Sequence, residues 1–163
     1  MDEFLEKLLI LINKFCDTLF IVDSRHNSDD FPSAILKLND FTAERMVDNT
    51  TPKGDGVTKG KCYQDSKNTL QKVKKTIFIT RGINGCILVD EGVIKEIQSI
   101  KITEKIDTVG AGDSMLAGIC LGLASVQDPY NSACLANLAA AVTIQKLYQT
   151  GTVSPEELLM MAS

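Results

Sequence analysis

Tryptophan is absent from this 163-residue chain, and histidine occurs once, as His26. A histidine-based metal site therefore has no raw material, and no acid or nucleophile at catalytic spacing accompanies His26. Cysteine is scattered: Cys16, Cys62, Cys86, Cys120 and Cys134 form no C-x-x-C pair, and their number is odd. That excludes a disulfide scaffold and a thiolate metal cluster, and it predicts reduced thiols, packed as small core residues, in a cytoplasmic protein. No apolar run approaches the roughly 20 residues that cross a bilayer. Residues 1–15 lack a basic leader and a small-residue cleavage site, so neither a membrane partner nor a signal peptide is expected. Basic charge is also short, 17 residues against 21 acidic ones, for a net charge of -4. A nucleic-acid-binding face is not expected from that balance.

What is present suits one globular core. Hydrophobic residues make up 44 % and charged residues 23 %, ordinary proportions for a folded domain. A chain of this size buries roughly 70 % of its unfolded surface, enough for a single domain over residues 1–163. Phe4, Leu5, Leu8, Leu11, Ile12 and Phe15 recur at helical spacing within 2–15. The apolar run Leu19–Val22, ending at Asp23, predicts a buried strand, as do residues 34–38 and 76–80. Asp40 is expected to cap a short helix through Val47. Residues 48–61 are rich in glycine and threonine and read as a loop, with a helix near 63–73. Residues 85–90 and 93–97 flank Glu91-Gly92 and predict a tight hairpin. The last third turns helical: 114–124, then a helix from Asp128-Pro129 to about Leu147, then one opened by a Ser154–Glu157 capping box. The class is α/β with a mostly parallel sheet flanked by helices.

The segment Asp107-Thr108-Val109-Gly110-Ala111-Gly112-Asp113 carries the most chemistry. Two glycines around an alanine, where a helix begins, leave backbone N–H groups bare beside the positive end of the helix dipole. Such a turn takes an anion, and Asp113 in the first helical turn is suited to accept a proton from a hydroxyl attacking a phosphoryl group. On spacing alone it is equally a plain turn with an acidic residue complementing the dipole. Thr80-Arg81-Gly82-Ile83-Asn84-Gly85 follows a strand, and its glycines permit either a bend under phosphates or a simple strand–turn–strand.

Taken together, these segments resemble the ribokinase-like (PfkB) carbohydrate kinases. Asp107–Asp113 is similar to that family's C-terminal signature, and Thr80–Gly85 to its Thr-x-Gly-x-x-Gly nucleotide turn. Lys37-Leu38-Asn39 resembles its Lys-Pro-Asn strand end, and 136–141 the helix facing the adenine. The resemblance implies a ribokinase-like fold and ATP-dependent phosphoryl transfer to a sugar or sugar phosphate. It makes Gly110, Ala111 and Gly112 the anion hole and Asp113 the catalytic base. It places Lys37, Asn39, Thr80, Arg81, Gly82, Gly85 and Asn137 around ATP. Mg2+ is implied with the ATP. Where the family has a glutamate three residues after the asparagine this chain has Thr42, with Glu44 two residues later, so either Glu44 compensates or the ion is held through phosphate alone. Val22-Asp23-Ser24-Arg25 and the tail from Val142 resemble the heptose-phosphate branch in particular.

The resemblance begins at about Leu19 and covers the C-terminal half of a family member. The part that carries the acceptor site and the small β-lid is expected to be missing. Two functional expectations follow: an ATP-dependent carbohydrate kinase domain, or a non-catalytic nucleotide-binding module or half kinase that needs a partner chain. A truncated sheet also predicts a homo-oligomer or a partner chain.

Overall fold

The computed structural model describes residues 3–24, 30–31, 33–47 and 75–163. The expected loop at 48–61, the helix near 63–73, His26 and Cys62 lie outside the described residues. The described elements are α1 (Glu3–Lys14), β1 (Ile21–Val22), β2 (Ile35–Asn39), α2 (Asp40–Val47), β3 (Ile77–Thr80), a 3-10 turn (Gly82–Asn84), β4 (Cys86–Asp90), β5 (Val93–Ile97), α3 (Ala111–Val126), α4 (Pro129–Thr143) and α5 (Pro155–Ala162).

The five strands form one sheet in the order β1-β2-β3-β4-β5. β1, β2 and β3 run parallel, with Leu36 opposite Ile77 and Asn39 opposite Thr80. Parallel pairing stops at β3. β4 returns antiparallel, with Ile77 opposite Val89, and β5 closes the expected hairpin with Asp90 opposite Val93. The sheet is thus mixed, half parallel and half antiparallel, because the connections at Arg81–Gly85 and at Glu91-Gly92 are both too short for a crossover and can only make hairpins.

Side-chain alternation divides the core between the two faces. Phe78, Cys86, Leu88 and Ile97 pack with Met115, Ile119, Leu123, Ala133 and Ala136 of α3 and α4. Leu36, Leu38, Ile77, Ile79, Ile87 and Val89 form the other layer with Ala43 of α2. α3 and α4 approach closely because small residues face each other: a Cβ on Gly118 would lie 2.5 Å from Ala136 Cα, and one on Gly122 2.6 Å from Ser132 Cα.

Caps set most helix ends. Asp128 accepts from Asn131 N–H at 2.6 Å, with Pro129 at N1. Ser154 and Glu157 complete a reciprocal capping box. At α2 the capping acceptor is Asn39, whose Oδ1 takes the Thr42 N–H at 2.7 Å; Asp40, expected to cap, stands inside the helix instead. Three other readings shift. α4 ends at Thr143 rather than near Leu147, and Tyr148 adopts a left-handed φ of 60° with its N–H on Asp107 Oδ2. α1 turns Leu5, Leu8, Leu9 and Ile12 toward Phe31 and Ala34 but leaves Phe4, Leu11 and Phe15 exposed. Cys16 and Cys120 are exposed and not core residues, whereas Cys86 is fully buried and burial pushes its thiol up to about 12.

Candidate functional site

The carboxyl ends of the three parallel strands share one edge of the sheet. Asp23 follows β1, Asn39 ends β2 and Thr80 ends β3. In sheets of this kind the crevice outside those ends is where ligands bind.

The N-terminus of α3 opens on a tightly held glycine turn. Gly110 stands at the N-cap with φ 80°, a left-handed conformation that glycine adopts without penalty. A side chain there would also press on Thr150 Cγ2 at 3.2 Å. The turn is fixed from three sides. Asp107 Oδ1 accepts from Val109 N–H at 3.1 Å, Asp107 N–H donates to Ile144 O at 2.8 Å, and Ser114 and Thr143 share a hydroxyl hydrogen bond at 2.7 Å. Ala111 N–H turns back to Thr108 O, but no acceptor among the described residues meets the Gly112 and Asp113 N–H groups. Those two donors lie at the positive end of a 16-residue helix. Asp113 is exposed in the first turn beside them.

Lys37 meets this turn from below. β2 places Leu36 and Leu38 toward α2, so Lys37 projects to the opposite face, under α3. A Cβ on Gly112 would lie 3.8 Å from Lys37 Nζ. The same ammonium donates to Asp23 Oδ2 at 2.6 Å. Asp23, Lys37 and the Gly110–Asp113 turn therefore form one constellation. The pairing of Asp23 with Lys37 was not legible from spacing; its one signal was an acid ending a short apolar run.

The other expected residues separate. Gly82 has φ 53°, and no atom of the described residues lies within 4 Å of where its Cβ would stand. Gly85 serves packing instead: its Cβ would fall 2.1 Å from Ile97 O. Arg81 closes the turn on itself, donating to Asn84 O at 3.0 Å and Glu96 Oε2 at 3.3 Å. Thr80 Oγ1 donates to Leu38 O across the sheet at 3.3 Å. Asn39 spends Oδ1 on its cap, leaving its amide nitrogen as the group to offer a ligand. Asn137 Nδ2 donates to Gln98 O at 2.6 Å, which ties α4 to the segment leading toward Asp107. Glu44 Oε2 is buried and has no hydrogen-bond partner among the described residues.

Residues 32–156 match the pfkB family of carbohydrate kinases. The bifunctional protein HldE of Coxiella burnetii is 37 % identical over 86 residues, 50 % of this chain and 17 % of its own length. HldE of Aeromonas hydrophila is 34 % identical over 84 residues, 52 % of this chain and 18 % of its own length. Among solved structures, ribokinase from Thermotoga maritima superposes with a TM-score of 0.75 at 19 % identity, covering 97 % of this chain and 53 % of the ribokinase. Arabidopsis thaliana ribokinase complexed with ribose and ATP gives 0.76 at 16 %, covering 97 % and 51 %. The chain thus spans about half the length of these ribokinases and under a fifth of the HldE proteins. The matched stretch holds every residue of the constellation except Asp23, and on that match the chain, ribokinase-like in fold, belongs to the pfkB family of carbohydrate kinases.

Proposed function

We propose that this chain binds ATP at the Gly110–Asp113 and Thr80–Gly85 turns and carries out phosphoryl transfer to a hydroxyl of a sugar or sugar phosphate, in the manner of the heptose-phosphate branch. The observation that carries this reading is the pair of amides at Gly112 and Asp113 that meet no acceptor among the described residues, with the Lys37 ammonium beside them. These donors suit the charge that develops on a transferring phosphoryl group. Asp113, exposed at the same turn, takes the proton of the attacking hydroxyl. Gly82, open on its outer side, leaves room for the nucleotide to lie along the end of β3.

Mg2+ fits as an ion carried by the phosphates of ATP. Among the described residues no three His, Cys, Asp or Glu side chains gather as a metal-binding group, and Mg2+ is commonly held by one or two carboxylates plus substrate phosphates. When bound it neutralises phosphate charge. The ion is then held through the phosphates alone, which leaves Asp23 on Lys37 and Asp113 free to act as base.

Thermal melts of the full chain with and without ATP test the binding. Ligand at 100 times its Kd adds about 2.7 kcal/mol of apparent stability. A folded sample with no shift for any nucleoside triphosphate rejects the reading. ADP release with a panel of sugars and sugar phosphates then separates a kinase from a module that binds nucleotide only or awaits a partner chain. The exposed side chains of Phe4, Leu11, Phe15 and Leu19 favour the partner-dependent form.

A further inference from the structure

Lys37 stands between two negative partners. Asp23 Oδ2 is one, at 2.6 Å. The other is the polyphosphate tail of ATP at the Gly112 amide, so the inference rests on the functional reading above. The two carboxyl-end groups differ in access: the Lys37 side chain is 6 % exposed and that of Asp23 34 %. A buried ammonium needs a counter-charge at all times. Asp23 supplies it from the coil just past β1, at the carboxyl end of the strand and partly open to solvent. Glycine at position 112 puts no side chain between the α3 turn and the amine, where a methyl group would stand 3.8 Å from Nζ, in van der Waals contact with it. A phosphate seated on the Gly112 and Asp113 amides comes within range of the same ammonium. Two anions that share one cation also repel each other, so each weakens the hold of the other.

We propose that Asp23 is the resident counter-ion of Lys37 and that the terminal phosphate of the nucleotide displaces it. Asp23 is then a positioning residue. It keeps Lys37 charged and in place while the site is empty, and it sets nucleotide affinity by competing with the phosphate.

The competition has a signature that a purely structural ion pair lacks. Calorimetric titration of the full chain with ATP, and with tripolyphosphate as a base-free probe, compares the wild type with Asp23→Asn, Lys37→Met and the double variant. Asp23→Asn is expected to melt at a lower temperature when empty, yet to bind ATP about tenfold tighter, a size typical of coupling between linked sites. Its melting temperature then rises more on adding nucleotide than that of the wild type. Lys37→Met binds more weakly, and in that background Asp23→Asn has no further effect, because the shared cation is gone. If Asp23→Asn precipitates without ligand, the double variant carries the test, since it buries no lone charge: it must bind ATP as Lys37→Met does. A folded Asp23→Asn protein that binds ATP no tighter than the wild type overturns the inference, as does an Asp23→Asn effect that persists without Lys37. A wild-type chain that binds neither ATP nor tripolyphosphate overturns instead the functional reading beneath it.

Discussion

At the scale of single residues, Asp113 separates binding from chemistry. Asp113→Asn keeps the shape of the α3 turn and removes only the base. Phosphoryl transfer, measured as ADP release in the presence of an accepting sugar, is expected to fall by about 10² to 10⁴. ATP affinity by calorimetry is expected to hold, because the Gly112 and Asp113 amides are main-chain groups and survive the change. A parallel loss of binding would make Asp113 a structural residue of the turn. The site was legible in the sequence where main-chain chemistry decides: glycines at 110 and 112 ahead of a helix already imply bare amides. It was not legible where a side chain is claimed by a neighbour far along the chain. Asn39 as a helix cap, Asn137 on Gln98 and Arg81 on Glu96 are each set by which residue the fold delivers within 3 Å or so. Spacing along one chain carries no information about that.

Among the elements, the α3–α4 contact is the tightest constraint. Gly122→Ala would place a methyl carbon 2.6 Å from Ser132 Cα, and backbone cannot yield as a flexible side chain does. Overpacking of this kind costs typically about 1–3 kcal/mol, which denaturant melts would read as a lower midpoint at unchanged slope. A substitution at exposed Ala124, on the outer face of the same helix, should leave the midpoint where it is. α5 is held differently, through charge. Lys146 donates to Glu157, which also accepts from Ser154 N–H at 2.8 Å, and these contacts hold the Glu157 carboxyl below its ordinary value. A carboxyl depressed in the folded state contributes stability above its unfolded pKa and loses it as pH falls through the folded one. The attachment of α5 is therefore expected to loosen in acid and not in base. NMR resonances of Leu158 followed between neutral and acid pH would show this, and Glu157→Gln should flatten the profile. Caps and turns of this sort were readable in advance, since Ser154, Asp128 and Glu91-Gly92 act within a few residues of themselves. The limits of β1 and α4 were not: β1 is trimmed to two residues by what it pairs with, and α4 is stopped by Asp107 drawing in Tyr148.

For the whole molecule, the apolar pattern exceeds what the described core uses. Phe4 is 70 % exposed and Leu19 57 %, and they lie on the β1 side of the sheet with Leu11 and Phe15. Self-association through this side is expected: light scattering at micromolar concentration should report a species larger than one chain, and Leu11→Glu with Phe15→Glu should return it to one. A monomer at all concentrations for the unaltered chain would show that α1 alone suffices. The α/β architecture itself was plain from the alternation of apolar runs with helical stretches, while the change of strand direction at β3 falls at Arg81–Gly85, a turn whose sequence fits a bend under phosphates as well as a strand–turn–strand. That change has a consequence for how the protein breathes. β3 is clasped by a strand on each side, one pairing made across a long stretch of chain and the other through the adjoining hairpin, and its side chains Ile77 and Phe78 have no exposure at all. No local opening can free its amides without parting the sheet. In deuterated solvent the protons of Phe78 and Ile79 should therefore be among the last to be replaced, at rates that report global unfolding, while those of Ile21 and Val22, in a two-residue strand beside β2, go early.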